Sequence, residues 1–271
     1  MKVAFFLIIA ILLIQLTVTS SPQERSVHQT LVTRLLRYVK IDTQSKEDVD
    51  TIPSTQKQFD LARILVQDLK ELGLNDARVD GKCYVYATLP TNLPENLSND
   101  IPVIGLISHM DTSPAVTGTN VNPIIHESYK GGDIVLPGDE TQVVTVEKNP
   151  RLLNNIGSDI ITADGTTLLG ADDKAGIAEI MTVLQTLVND PSIRHGAIKI
   201  AFTPDEEVGK GADGFDVRGF GADYAYTIDG GQTGEIGNET WSADQATITV
   251  HGKSTHPGTA KGIMVNSLYA M

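Results

Sequence analysis

The chain has few cysteines and few basic side chains. Cys83 is the single cysteine among 271 residues, so no disulfide can form within the chain. Lysine and arginine number 21 against 34 aspartates and glutamates, which gives a formal net charge of -13. This charge opposes binding to nucleic acid or anionic lipid, and it favours metal ions and the amino groups of substrates. There is no internal repeat or low-complexity segment, and a hydrophobic content of 41% is enough for a sizeable core.

The apolar run near the amino terminus is too short for a stable membrane span. It extends from Val3 to Leu16 behind Lys2, whereas a spanning helix needs about 18 residues or more. Small residues follow, and a cleavage after Ser20 matches the pattern of a signal peptide. We therefore predict a signal-peptide-like segment at 1–20 and a secreted or secretory-pathway protein. An uncleaved anchor and a cytoplasmic location are the alternatives.

Hydrophobic periodicity predicts helices and short strands in the first third of the chain. One helix is expected within 27–41 and a second within 59–72, with a capping box at Thr55 and Gln58 and a stop at Gly73. Strands are expected at 77–79 and 84–89. Region 112–150 is rich in glycine and proline, which indicates a long loop-like insertion with room for a hairpin. Near the end, a half-exposed strand is expected at 246–250 and the start of a helix at 264–269.

Potential metal ligands follow three predicted strands at the point where each strand ends. His109 and Asp111 follow a buried strand at 101–108, Glu206 and Glu207 follow one at 197–203, and Asp229 follows one at 224–228. Ligands of open α/β sheets collect at the carboxyl ends of the strands, so we expect these side chains to meet at one sheet edge. Adjacent glutamates repel each other, and a bound cation would relieve that repulsion. The alternatives for each signal alone are a surface histidine and aspartate that leave a strand, and a plain acidic loop.

A fourth signal is the stretch 168–176, which places adjacent carboxylates in a glycine turn ahead of a helix. The short run Ile160–Thr162 predicts a strand before the turn, and apolar residues recur at helical spacing after it. Strand, turn and helix would bring Asp172 to the same sheet edge. We interpret the stretch as a metal-bridging loop. A solvated acidic turn that caps the helix is the alternative.

The residue types indicate the chemistry of such a site. Carboxylates mixed with few histidines, and without clustered cysteines, suit zinc, manganese or cobalt in a hydrolytic site. Two ions that share an activated water need a bridging carboxylate, and a free carboxylate must move the proton to the leaving group. Glu206 and Glu207 could provide one metal ligand and one proton-transfer group.

The chain contains four long motifs, which are ISHMDTSP at 107–114, DGTTLLGADDKAG at 164–176, AFTPDEEVGKG at 201–211 and HPGTAKG at 256–262. Together they resemble peptidase T, the tripeptide aminopeptidase branch of the dinuclear-zinc metallopeptidases related to aminoacylase and glutamate carboxypeptidase. The resemblance runs from about Leu31 to the last residue. It implies an α/β fold in which a mixed sheet is flanked by helices. The implied domains are a zinc-exopeptidase-like catalytic domain, incomplete, at 21–236 and the start of an α+β lid domain at 237–271. The lid is the candidate interface of a homodimer.

The resemblance also implies two zinc ions in each complete subunit. His109 and Asp229 would bind one ion, Glu207 would bind the other, and Asp172 would bridge both. A cis peptide bond between Asp172 and Asp173 is implied as well.

The same resemblance assigns three catalytic roles. Asp111 would orient His109, Glu206 would act as general base and acid, and His256 would stabilise the oxyanion of the tetrahedral intermediate.

One feature departs from the family: a second zinc histidine is required downstream, and no histidine follows His256. The chain is therefore expected to be truncated, and inactive alone as a tripeptidase. The implied function is a zinc-dependent aminopeptidase that hydrolyses the N-terminal residue from tripeptides through a dizinc-bound water, with Glu206 as general base. The alternatives are a related exopeptidase or amide deacylase, and an inactive truncated homologue.

Overall fold

The computed structural model describes residues 22–98, 100–230, 235–239 and 246–269. The signal-peptide-like segment predicted at 1–20 lies outside these ranges. The chain divides into two compact units, the first ending at Gly230 and the second running from Gly231 to Met271. Among the described residues, no helix combines the length and apolar character that a membrane span requires.

A five-stranded sheet forms the centre of the first unit. Its strands are β1 (Arg78–Val79), β2 (Val85–Leu89), β3 (Ile104–His109), β8 (Ile198–Thr203) and β9 (Tyr224–Thr227), in the order β1-β2-β8-β3-β9. Strands β8, β3 and β9 are parallel, whereas β1 and β2 are antiparallel to their neighbours. The sheet is therefore mixed, as predicted.

Three long helices and the sheet enclose the main core. These helices are α1 (Pro22–Tyr38), α2 (Gln58–Glu71) and α4 (Ala171–Asn189). Helix α1 packs against α4, α4 packs against β3, and α2 packs against β1 and β2. Buried residues of one sheet face, among them Val85, Ile200 and Phe202, join Leu65 and Leu184 of the helices in this core. The α/β fold with a sheet flanked by helices is confirmed.

Aromatic side chains cover the opposite face of the sheet. Because side chains alternate along a strand, Tyr84 and Tyr86 point away from the main core and pack with Phe220 in a second cluster. Phe220 belongs to the short helix α5 (Val217–Phe220). The ring of Phe215 lies 5.2 Å from that of Phe220, centroid to centroid, in an edge-to-face arrangement.

The predicted helix at 59–72 is present, but its predicted cap is not. Helix α2 begins after Lys57, and no side chain caps its first turn. The Gln58 amide instead donates to Asp205, 147 residues away in the sequence, at 2.7 Å. A long-range contact thus replaces the local capping box. Gly73 follows the helix with a φ of +91°, a backbone conformation that glycine adopts without strain.

The strand predicted before the central turn exists but lies in a different sheet. Strand β7 (Ile160–Thr162) pairs antiparallel with β4 (Ile124–His126) in a two-stranded ribbon. Within insertion 112–150, β5 (Ile134–Val135) and β6 (Val143–Val144) form the hairpin for which the sequence leaves room. The remaining short elements are helix α3 (Glu95–Ser98) and 3-10 turns at Pro150–Asn155 and Glu206–Val208. The prediction that a strand of the main sheet leads into the central turn is therefore wrong.

The second unit contains little regular structure among its described residues. The strand predicted at 246–250 is absent, and Ile248 there is exposed. A single bridge joins Lys253 to Val265. The expected helix start is limited to a 3-10 turn at Ser267–Tyr269, and a second such turn covers Pro257–Thr259.

Candidate metal centre

The parallel strands bring the predicted site residues to one edge of the sheet. His109 is the last residue of β3 and pairs in register with Thr203, the last residue of β8. Asp229 follows the end of β9, which is parallel to β3 on its other side. The segments that carry His109, Glu206 and Asp229 therefore leave the sheet in the same direction, as expected from their positions in the sequence.

His109 is the buried centre of the cluster. Its imidazole is only 3% exposed, and Nε2 lies 2.9 Å from Oδ1 of Asp172. Carboxylate oxygens of Glu206 and Asp229 lie 3.8 and 3.7 Å from the same nitrogen. On the other side of the ring, Nδ1 lies 3.1 Å from the backbone oxygen of Asp111, which can only accept a hydrogen bond. Nδ1 therefore carries a proton, and Nε2 faces the acidic groups.

Asp172 reaches this edge from a helix rather than from a strand end. It is the second residue of α4, and its backbone departs from helical geometry, as does that of Asp173. The peptide bond between the two aspartates is cis, as the family resemblance implied. The side chain of Asp172 is 72% exposed, so it remains accessible to an ion or a substrate.

Asp111 contacts both His109 and the turn that carries the two glutamates. Its carboxylate, fully buried, has Oδ1 at 3.4 Å from Nδ1 of His109. The same carboxylate accepts hydrogen bonds from the backbone amides of Glu206, at 2.9 Å, and Glu207, at 3.1 Å. One buried carboxylate thereby ties the end of β3 to the turn after β8.

Asp173 belongs to the site although the sequence analysis did not select it. It is 2% exposed, and it accepts hydrogen bonds from the Ser108 hydroxyl, from the His109 amide at 3.1 Å and from the Gly176 amide at 3.1 Å. It holds the start of α4 against the end of β3. The available signal was its place beside Asp172, but nothing local distinguishes the two carboxylates.

The acidic surroundings stabilise positive charge at His109. Burial alone would lower the pKa of its imidazole, but the hydrogen bond and charge of Asp111, together with Asp173 and Asp229, outweigh burial and raise that pKa to about 10. Burial raises the pKa of Asp173 to about 7. Burial likewise raises the pKa of Glu206, Glu207 and Asp229, and neighbouring acidic groups add to the shift. A cation bound among these groups would relieve their repulsion.

Two overlapping sets of side chains have ligand atoms close enough to hold a metal ion. One set is His109, Asp172 and Glu207, the other is His109, Asp173 and Asp229, and within each set the ligand atoms lie within 4.8 Å of one another. Imidazole nitrogen and carboxylate oxygen are ligands that Zn²⁺ accepts. All four residues predicted as metal ligands occur in these sets, and Asp173 is an addition to them.

His256 lies in the second unit and makes local contacts there. Its Nδ1 accepts a hydrogen bond from the Gly258 amide at 3.1 Å and caps the 3-10 turn at Pro257–Thr259. The role implied for it in stabilising an oxyanion remains a prediction.

Curated proteins named peptidase T are similar to this chain in sequence. Peptidase T of Geobacillus thermodenitrificans is 54% identical over 240 residues, which are 89% of this chain and 57% of that protein. Peptidase T of Alkaliphilus oremlandii is 55% identical over 240 residues, 89% of this chain and 58% of that protein. No family profile matches the chain.

The chain is also similar in structure to two solved peptidases. A tripeptidase from Staphylococcus aureus superposes with a TM-score of 0.51 at 28% identity, over 75% of this chain and 44% of that one. The aminopeptidase PepT from Bacillus cereus shares the fold with a TM-score of 0.56 at 24% identity, over 89% of this chain and 54% of that one. The chain spans less than three fifths of the length of the curated relatives, at 57% and 58%. Over 89% of its own length, the chain is a homologue of peptidase T.

Proposed function

We propose that this protein is a zinc-dependent aminopeptidase that removes the N-terminal residue from tripeptides. The observation that supports it most is the convergence of His109, Asp172, Glu207 and Asp229 at one sheet edge, in sets whose ligand atoms lie within 4.8 Å. The curated relatives are named peptidase T, and one structural relative is a tripeptidase. Residues 21–236 would belong to the catalytic domain and residues 237–271 to a lid.

The site residues divide into ligands and a proton carrier. His109, Asp172, Glu207 and Asp229 would hold two zinc ions, with Asp172 shared between them. Bound zinc would supply Lewis acidity to the scissile carbonyl and lower the pKa of the attacking water. Glu206 belongs to neither ligand set, and its carboxylate lies 3.8 Å from His109 Nε2 with the side chain 54% exposed. These positions support a role in which Glu206 would accept a proton in the site and deliver it to the leaving amine.

Asp111 would orient both a metal ligand and the turn that carries the two glutamates. Asp111 fixes the imidazole of His109 through Nδ1 and holds the amides of Glu206 and Glu207. Hydrogen-bonded carboxylates of this kind typically set the orientation of a ligating histidine. The acidic cluster also attracts the free ammonium group of a peptide substrate.

An assay with matched peptides tests the proposal against the deacylase alternative. Since the chain spans 57% of a curated relative, the test uses a fusion of this chain with the carboxyl-terminal part of that relative. The zinc-loaded fusion is incubated with a tripeptide and with its N-acetylated counterpart, and the products are identified by mass spectrometry. We expect release of the free N-terminal residue and a dipeptide from the unblocked peptide only, and loss of this release with a zinc chelator. Preferential removal of the acetyl group would instead establish an amide deacylase, and cleavage that survives complete metal removal would refute the metal mechanism.

A further inference from the structure

We propose that Asp205 is a positioning residue of the metal centre, which fixes the turn bearing Glu206 and Glu207 by binding Ser54 and Gln58. This inference rests on the function proposed above. Asp205 directly precedes the two glutamates, yet its own side chain points away from them into the protein. It is fully buried, at 0% exposure. It is not part of either potential ligand set.

Three donors converge on its carboxylate. The Ser54 amide donates to Oδ2 at 2.6 Å, the Ser54 hydroxyl donates to Oδ1 at 2.5 Å, and the Gln58 side-chain amide donates to Oδ1 at 2.7 Å. Hydrogen bonds to a charged acceptor are the stronger kind. Segment 54–58, which leads into helix α2, is thereby attached to the turn after β8.

The backbone of Asp205 is held as firmly as its side chain. Its φ is +57°, in the left-handed region that aspartate and asparagine adopt more readily than most residues. Its amide donates to Oε1 of Gln58 at 3.3 Å, and its carbonyl accepts from the Lys210 amide at 2.9 Å. The direction in which the chain enters Glu206 therefore depends on the contacts of this residue.

A second buried carboxylate holds the same turn from the other side. Asp111 accepts the amides of Glu206 and Glu207, whereas Asp205 fixes the residue just before them. The Ser54 hydroxyl also accepts from the Lys46 amide at 2.9 Å, which extends the network into the loop before α2. If either anchor is weakened, the side chain of Glu207 loses its fixed place relative to His109 and Asp172.

The substitution Asp205→Asn removes the negative charge of the side chain but keeps its size and shape. Asparagine keeps the size and tolerates the positive φ. It would, however, present an amide N–H group to donors, so at least one buried donor would lose its acceptor. We expect about 10-fold weaker zinc binding, in the range usual for residues that orient metal ligands. Where peptidase activity is measured, kcat should fall while KM changes little.

Asp68→Asn is the matched control. Asp68 is also a buried carboxylate, 7% exposed, and it accepts from the Tyr38 hydroxyl at 2.8 Å and from Arg37 at 2.7 Å. Its contacts join α2 to α1 and involve no residue of the metal centre. It should lower the melting temperature without changing the zinc affinity of the folded protein.

A double variant supplies a rescue. When Asp205→Asn is combined with Gln58→Glu, donor and acceptor exchange sides across the 2.7 Å contact. The new carboxylate at position 58 can accept both from the side chain at 205 and from the backbone amide at 205. We expect zinc affinity to recover by several fold relative to Asp205→Asn alone.

The experiment is a zinc titration of the 271-residue chain against a chromophoric chelator, at a temperature where circular dichroism shows each variant folded. The inference would be overturned if Asp205→Asn bound zinc as tightly as the wild type and lost only as much stability as Asp68→Asn does. That result would leave the proposed metal centre unaffected. If Asp205→Asn does not fold, Ser54→Ala removes one of the three donors, and unchanged zinc affinity in that variant would overturn the inference equally. A wild-type chain that binds no zinc would refute the proposed metal centre and the inference together.

Discussion

Glu206 and Glu207 are chemically identical neighbours, but they occupy different places in the site. Only Glu207 has a carboxylate oxygen within 4.8 Å of ligand atoms of both His109 and Asp172 in a common set. Glu206 lies 3.8 Å from His109 Nε2, outside both sets. Loss of a metal ligand lowers zinc affinity, whereas loss of a proton carrier lowers turnover. Conservative substitutions at the two positions should therefore distinguish the two roles.

We predict that Glu206→Gln retains zinc but loses roughly 10²- to 10⁴-fold in turnover, the usual contribution of general acid-base catalysis. Glu207→Gln should lose zinc affinity first, because a neutral amide is a poorer ligand than a carboxylate. Elemental analysis after dialysis measures the zinc content, and tripeptide turnover is measured with each substitution in the fusion to the carboxyl-terminal part of the relative. Equal zinc loss in the two variants would show that the roles are assigned wrongly.

Individual residues were predictable where the sequence places them at a strand end. His109, Glu207 and Asp229 follow apolar runs, and parallel strands bring such positions together. Asp173 was missed because its partners, Ser108 and the His109 amide, belong to a strand 64 or 65 residues earlier. Asp205 was missed for the same reason, since Ser54 is 151 residues away. Hydrogen bonds over such separations leave no local pattern.

At the scale of elements, strands and helices with a clear hydrophobic pattern were predicted more reliably than their connections. Strands β3 and β8 were expected because each is a buried run bounded by turn residues. Strand β7 was found at the expected residues, but the prediction assigned it to the main sheet and it belongs to a two-stranded ribbon. A run of three β-branched residues does not specify the strand with which it pairs. The prediction of a capping box at Thr55 and Gln58 was wrong, because no side chain caps the first turn of α2 and the Gln58 side chain makes its shortest hydrogen bond to Asp205.

The packing of α4 against the sheet leads to a prediction opposite to that of helix propensity. An alanine Cβ at Gly176 would collide with the carbonyl oxygen of Ile228 and lie 2.9 Å from the hydroxyl oxygen of Ser108. Alanine normally favours a helix over glycine by about 1 kcal/mol. Here we expect Gly176→Ala to destabilise the fold by about 1–3 kcal/mol, the usual cost of overpacking.

Val183→Ala provides the control within the same helix. Val183 is 47% exposed, so the substitution raises helix propensity without a collision and should change stability by no more than about 0.5 kcal/mol. Urea denaturation followed by circular dichroism compares the two variants. A Gly176→Ala variant as stable as the wild type would show that α4 does not lie as close to the strand ends as the structure has it.

At the scale of the whole molecule, charge and fold act together at one edge of the sheet. The net charge of -13 includes a group of carboxylates around His109, whose mutual repulsion a bound cation would reduce. The composition alone predicted an affinity for cations, and the parallel arrangement of β8, β3 and β9 determines where the carboxylates gather. The separation into units at Gly230 falls close to the expected domain boundary, whose assignment to a catalytic domain and a lid stays a prediction.

The central claim is that these carboxylates and His109 form one zinc centre with Asp172 shared between two ions. Equilibrium dialysis of the wild type and Asp172→Ala against zinc, followed by elemental analysis, tests it most directly. Asp60→Ala is the control, since it removes one exposed carboxylate from the first turn of α2. We expect Asp172→Ala to weaken every zinc equivalent that the wild type binds, because both ions depend on the shared carboxylate, and Asp60→Ala to bind as the wild type does. An Asp172→Ala protein that keeps one full equivalent of zinc with unchanged affinity would contradict the account.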